Sequence, residues 1–253
     1  MNKWRLDGQR ALVTGGSSGI GLAVAEELAA LGCDLVLLAR NVERLEQARG
    51  TVLQQHPLCH IELISADLAD AGERARVAKE LQDPLTLLIN NAGFNIRKRV
   101  EDLSLEEYLR VQDVNLVSCF DLCRLLQPKL RQSAPAAVVN VASVAGLTHL
   151  RTGAPYGMSK AAMIQLTKNL AVEWAGQGIR VNAVAPWYID TPLARQVLKD
   201  ESYSQAVLDR TPMKRIGKVE ECAAAIAFLC LPAASYITGH CLTVDGGFSV
   251  YGF

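Results

Sequence analysis

The chain has 253 residues, half of them hydrophobic, with 26 basic side chains balanced by 26 acidic ones. That length is enough for one large α/β domain with a sizeable buried core. The balanced charge argues against nucleic acid or an anionic membrane as a partner, and no apolar run approaches the length needed to span a bilayer.

The opening, Met1 to Gly8, is polar and lacks the apolar core of a secretory signal. Seven cysteines (33, 59, 119, 123, 222, 230 and 241) form no C-x-x-C pair and no metal-ligand set. Four scattered histidines offer no metal spacing either, so no metal site is expected. An odd number of thiols without a secretory context predicts reduced cysteines in a soluble, cytoplasmic protein. Trp4 and Trp174 read as packing residues, and His149 as a polar loop residue.

Strands are predicted over 11–14, 34–39, 61–66, 86–90, 136–141, 180–185 and 241–244, where β-branched or leucine-rich runs are hydrophobic throughout. Helical patterns fill the intervals over 19–31, 42–55, 71–81, 105–132, 154–176 and 219–230. Such alternation, with strands apolar on both faces, predicts an α/β fold. The expected form is a single-domain, Rossmann-type, doubly wound parallel sheet of about seven strands with helices on both faces. No linker, repeat or low-complexity stretch divides residues 1–253. Only about 188–215 breaks the rhythm, an excursion of the kind that forms a substrate lid.

The first strand runs into Thr14-Gly15-Gly16-Ser17-Ser18-Gly19-Ile20-Gly21 and then a helix. Glycines there permit a tight turn and close approach to a pyrophosphate, while the helix start offers unpaired N–H groups. The second strand ends in Ala39-Arg40-Asn41. An acid at this place would bind the ribose of NAD, whereas an arginine accommodates the 2′-phosphate of NADP, so NADP(H) is favoured. Asp67 follows the third strand and either bonds an adenine amino group or caps the next helix; the carboxyl end of a strand favours the first. Asn90-Asn91-Ala92-Gly93 closes the fourth strand with small residues against which cofactor rings could lie, although an Asn-rich turn is also an ordinary connection.

Ser143, Tyr156 and Lys160 complete a proton-transfer set. A free tyrosine, with a pKa of roughly 10, is a poor base near neutrality. A lysine at i+4 on the same helical face favours the phenolate and lowers that value. A serine hydroxyl can hold a substrate oxygen beside the phenol. The plain alternative for Tyr156 and Lys160 is a cation–aromatic contact on a helix.

In this order these motifs, with Asn115, Pro186, Thr191 and Asp245-Gly246-Gly247, resemble the short-chain dehydrogenase/reductase family over nearly the whole chain. The tail, from Phe228-Leu229-Cys230 through Ala233-Ala234-Ser235-Tyr236-Ile237-Thr238-Gly239 to Asp245-Gly246-Gly247-Phe248, is most similar to tropinone-reductase-like members, and Asn90-Asn91-Ala92-Gly93-Phe94-Asn95-Ile96-Arg97 to gluconate 5-dehydrogenase-like ones. The resemblance implies an NADP(H)-dependent interconversion of a ketone and a secondary alcohol. Hydride would come from nicotinamide C4 and the proton from Tyr156. Asn115, Ser143, Tyr156 and Lys160 would be catalytic, with Asn115 holding a water that links Lys160 to solvent. Cofactor contacts would come from Gly15, Ser17, Ser18, Gly19, Ile20, Gly21, Arg40, Asp67, Leu68, Asn91, Ala92, Gly93, Tyr156, Lys160, Pro186, Ile189 and Thr191. It also implies a homotetramer, or a homodimer, built through the long helix, the Tyr156 helix and the last strand. Leu116, Cys119, Phe120 and Cys123 fit either core or interface.

Two departures bear on the site. Pro186-Trp187 stands where the family has Pro-Gly, so the indole is expected to line the substrate pocket. Ser18 stands where many NADP-using members carry a basic residue, which leaves the NADP preference to Arg40. The expected substrate is a small cyclic or partly apolar carbonyl compound. Arg97, Lys98, Arg151 and Arg195 leave a keto-sugar acid or a 3-oxoacyl thioester open. From another class, an NADP-sensing regulatory protein without turnover would suit only Trp187.

Overall fold

A computed structural model describes residues 2–81 and 84–252. Seven strands form one sheet, all parallel, in the order β3-β2-β1-β4-β5-β6-β7. They are β1 (Arg10–Thr14), β2 (Asp34–Ala39), β3 (Ile61–Ser65), β4 (Leu87–Asn90), β5 (Ala136–Val141), β6 (Ile179–Pro186) and β7 (Cys241–Val244). Strand order reverses between β1 and β4, and in such sheets the crevice beyond the carboxyl ends at this point takes ligands.

Helices cover both faces, as continuous apolar strands require. On one face α1 (Gly19–Ala30), α2 (Val42–Gln55) and α9 (Val219–Cys230) pack on Leu35, Leu37, Val139 and Val184. On the other, α3 (Ala71–Glu80), α5 (Ser118–Gln132) and α6 (Ala154–Trp174) pack on Val36, Leu38, Val138 and Val181. Alternate residues of β2 thus feed the two cores, the period-two consequence of the strand's geometry.

The predicted helix over 105–132 is interrupted. It runs as α4 (Leu105–Gln112), one π turn (Asp113–Val117) and α5. The irregular stretch near 188–215 holds α7 (Pro192–Leu198) and α8 (Glu201–Asp209), two short helices outside the sheet. Trp174 is buried, but Trp4 is half exposed and only stacks on Phe228, so it packs on the surface rather than in the core. All seven cysteines are unpaired. Among the described residues, no helix is long and apolar enough to cross a membrane.

Candidate active site

A cleft of about 620 Å³ opens at the carboxyl ends of the strands, over the β1/β4 switch point. Its floor is made by stitching the ends of β1 and β4 together. The Thr14 hydroxyl donates to the Ile89 carbonyl and accepts from the Asn91 and Ala92 N–H groups at 2.9 and 3.0 Å. The Asn91 amide donates back to the Thr14 carbonyl at 2.9 Å. Asn91 therefore spends its side chain fixing the turn.

At one end of the cleft lie Gly15, Ser17, Ser18, Gly19 and Ile20. Gly21 is not on the wall. A Cβ there would come within 2.2 Å of the Gly15 carbonyl oxygen, so this glycine lets the turn close on itself. Arg40 lies at the same end, exposed, with Arg44 beside it on the first turn of α2. Arg44 is a second cation that the strand-end rule does not single out. Asp67 and Leu68 line the cleft after β3. The cap of α3 is Asp70, which accepts from Gly72 and Glu73, so Asp67 is free of that task.

Across the cleft, Ala92, Gly93, Ser143, Tyr156, Lys160, Pro186, Ile189 and Thr191 converge. Ser143 lies two residues past β5 and caps a short 3₁₀ turn, accepting from Ala145 N–H at 3.1 Å, and that turn packs on α6. Tyr156 sits in the first turn of α6 and Lys160 one turn on, 5.7 Å from the Tyr156 ring centroid. Buried Lys160 donates to the Val141 carbonyl at 2.7 Å, and burial pulls its pKa down to about 8. For Tyr156 burial is the largest influence and pushes the phenol above its ordinary value; a hydrogen bond with Ser143 and the charge of Arg97 pull the other way. The expected lowering by Lys160 is not among the influences on this phenol; the lysine ammonium is turned to the Val141 carbonyl instead.

Asn115 is buried within the π turn and does not reach the cleft wall. Its side-chain oxygen accepts from Phe94 N–H, and its amide donates to the Phe94 carbonyl, both at 2.9 Å, and to Ser159 at 3.2 Å. A Cβ on Gly93 would lie 3.2 Å from Asn115 Oδ1 and 3.7 Å from Lys160 Nζ, so both side chains approach this one residue. Thr191 caps α7 through its hydroxyl, accepting from Ala194 N–H at 3.1 Å.

Residues 15–249 match the family model described as enoyl-(acyl carrier protein) reductase, a short-chain dehydrogenase/reductase model. The chain belongs to the short-chain dehydrogenase/reductase family. A tropinone reductase homologue of Arabidopsis thaliana is 44% identical over 264 residues, covering 99% of this chain and 96% of its own. The structure of levodione reductase superposes with a TM-score of 0.94 at 31% identity, covering 98% of this chain and 100% of that one. A gluconate 5-dehydrogenase from Burkholderia cenocepacia, in complex with NADP and tartrate, gives 0.93 at 30%, covering 99% of each chain. The family is one of oxidoreductases, and its NADP-bound structural neighbours support a nicotinamide cofactor.

The part of the cleft beyond Ser143 and Tyr156 is lined by Phe94, Asn95, Arg97, Arg110, Leu150, Thr152, Trp187 and Tyr188. Trp187 borders the cleft, held on its far side by a 3.8 Å stack on Phe248 and a 3.0 Å bond from Nε1 to the Thr211 hydroxyl. Tyr188 shares a 2.5 Å hydroxyl contact with Tyr203 of α8, tying the excursion to β6. The four cations expected near the substrate part company. Lys98 pairs with Glu107, Arg195 pairs with Asp190, and Arg151 lies over the Tyr203 ring, while Arg97 faces the cleft.

Proposed function

We propose that this chain is an NADP(H)-dependent oxidoreductase that interconverts a ketone and a secondary alcohol on a small cyclic or partly apolar carbonyl compound. The observation that carries the reading is the convergence of Ser143, Tyr156 and Lys160 on one wall of a cleft whose other end is the Gly15–Gly21 turn. The residues fit a dinucleotide. The turn closes without a Cβ at Gly21, Asp67 has no capping duty, and Arg40 with Arg44 puts two guanidinium groups where a 2′-phosphate would need them. When bound, the cofactor supplies or accepts hydride.

The chain's own part is orientation and proton transfer. Ser143 holds the substrate oxygen beside the phenol. Tyr156 carries the proton in the direction of reduction, since its raised pKa keeps it protonated near neutrality. In oxidation it takes the proton back. Lys160 sits charged below about pH 8 and favours the phenolate left behind. Asn115 acts as a positioning residue, fixing Phe94 and the strand end that carries Gly93.

Phe94, Leu150 and Trp187 give the pocket apolar walls, which supports a partly apolar carbon skeleton. The NADP of the Burkholderia complex supports the cofactor assignment. Unpaired thiols support a reducing, cytoplasmic setting. Exposed apolar side chains on α4, α5 and α6 support a homotetramer.

The test is NADPH oxidation, followed by absorbance, across cyclic ketones, diketones, keto acids and 3-oxoacyl thioesters, with Tyr156→Phe alongside. Turnover by the parent and none by the variant, with NADPH binding intact in both, is the expected result. Equal turnover by the variant removes Tyr156 from the chemistry. Tight NADPH binding without turnover on any carbonyl would favour a cofactor sensor.

A further inference from the structure

The segment 187–189 runs between two spaces. Trp187, Tyr188 and Ile189 line the cleft on one side. On the other they line a second cavity of about 120 Å³, bounded also by Thr211, Met213, Val244 and Gly246. The charges around that cavity are already used. Arg215 pairs with Glu221, and Asp245 accepts from the Gly247 and Ser249 N–H groups at 3.0 and 2.8 Å. It is room behind the wall of the cleft.

The wall is fixed rather than hinged. Trp187 N–H donates to the Val244 carbonyl at 3.1 Å, Gly217 N–H to the Tyr188 carbonyl at 3.0 Å, and Asp190 N–H to the Gly217 carbonyl at 2.9 Å. The two backbones come this close because Gly217 has no Cβ, which would stand 2.6 Å from Ile189 Cδ1. The indole is pinned as well. One face lies on Phe248, with centroids 3.8 Å apart and planes at 10°. Tyr188 meets it edge-on at 4.6 Å, and Nε1 donates to the buried Thr211 hydroxyl at 3.0 Å. Swinging the indole away would lose both the stack and this bond.

The wall stands next to the reacting group. The Ser143 hydroxyl donates to the Pro186 carbonyl at 3.5 Å, one residue before Trp187. Val144, the residue after Ser143, belongs to the apolar cluster that also holds Phe248 and the indole. A carbonyl held by Ser143 therefore has the indole beside one of its two substituents.

We infer that Trp187 sets the size of the substrate: it closes the cleft off from the second cavity, so that the ketone reduced here carries, on that side, an arm no larger than a methyl or ring methylene. This rests on the oxidoreductase reading above and narrows its substrate. The other arm lies toward Phe94 and Leu150. A dry cavity of about 150 Å³ already holds a benzene ring. Removing the indole would join its own space to the second cavity and give room of about that order.

The experiment measures kcat/KM with NADPH for phenethyl methyl, phenethyl ethyl and phenethyl propyl ketone, in which one arm is constant and the other grows by a methylene at a time. In the parent the value should fall about tenfold or more from methyl to propyl, the effect expected of a methylene that the pocket does not fit. Trp187→Ala should flatten the series. Each protein is compared with itself, so an overall loss of rate cancels. Free indole added to Trp187→Ala should refill the space and bring the fall back, a response that general loosening would not give. Trp187→Phe keeps a ring on Phe248 and serves where the alanine variant does not fold; it should make the fall shallower. The inference is overturned if the parent takes the propyl arm as readily as the methyl, if the fall stays as steep in the variants, or if indole leaves the flattened series flat. Failure of the underlying reading looks different: neither these ketones nor cyclohexanone would be reduced by any of the proteins, or reduction would survive Tyr156→Phe.

Discussion

Tyr156 and Lys160 are both moved by burial, in opposite directions along the pH scale. The Tyr156 phenol is raised and the Lys160 ammonium is lowered to about 8. Reduction needs the protonated phenol and the charged lysine. Its kcat/KM should therefore be level from about pH 6 to about 8 and fall above that as Lys160 loses its proton. Oxidation needs the phenolate and should climb with pH over the same range. Steady-state profiles in both directions check this, and a reduction rate still level at pH 10 would count against the lysine's part.

At the other end of the cleft, Arg40→Ala should lower the preference for NADPH over NADH about tenfold, the loss expected of one charged hydrogen bond. Arg40→Ala with Arg44→Ala should lower it further, as read from kcat/KM for each cofactor. Arg40 was legible because it replaces an acid at a known strand end. Arg44 was not: on α2 it is one charge among several until the fold sets the helix start beside β2. Arg97 was legible as a cation near the substrate, but its place on the cleft depends on local pairings that sequence spacing does not fix.

Among the elements, β2, β5 and β7 follow the predicted bounds because continuous apolar runs ended by turn residues leave little choice of register. The stretch over 105–132 was legible only as helix. A π turn adds a residue to one turn without breaking the apolar stripe, so periodicity does not reveal it. The helices α7 and α8 were missed for another reason: each is too short to show a helical period. The π turn matters to the site because it carries Asn115, whose amide satisfies both backbone groups of Phe94. Asn115→Ala would leave that N–H and carbonyl without partners in a half-buried loop. The expected cost is about 2–4 kcal/mol, read as a lower urea midpoint. Cofactor affinity should fall with it, since Gly93 loses its support. A variant as stable as the parent would mean that water replaces the amide.

Taken whole, the molecule leaves apolar side chains in water where a monomer gains nothing from them. Leu105 and Leu109 on α4, Val117 and Phe120 around the π turn, and Met158 and Val172 on α6 are all exposed, and α4 packs against α6, so they belong to neighbouring surfaces. The sequence could not separate core from interface among Leu116, Cys119, Phe120 and Cys123. The structure buries Cys119 and Cys123 on the inward face of α5, leaves Leu116 half-buried and turns Phe120 outward with half its surface exposed. Tyr236, before β7, and Val250 and Tyr251, after it, are exposed as well. The α4–α5–α6 face comes first as the place where the proposed assembly would pair. Phe120→Glu would place a charge in this face, and a carboxylate buried without a partner is costly enough to open it. Light scattering should then give a smaller particle than the parent. The helix bearing Tyr156 also borders this face, so the smaller particle should bind NADPH but turn over more slowly. An unchanged mass in Phe120→Glu would move the contact elsewhere.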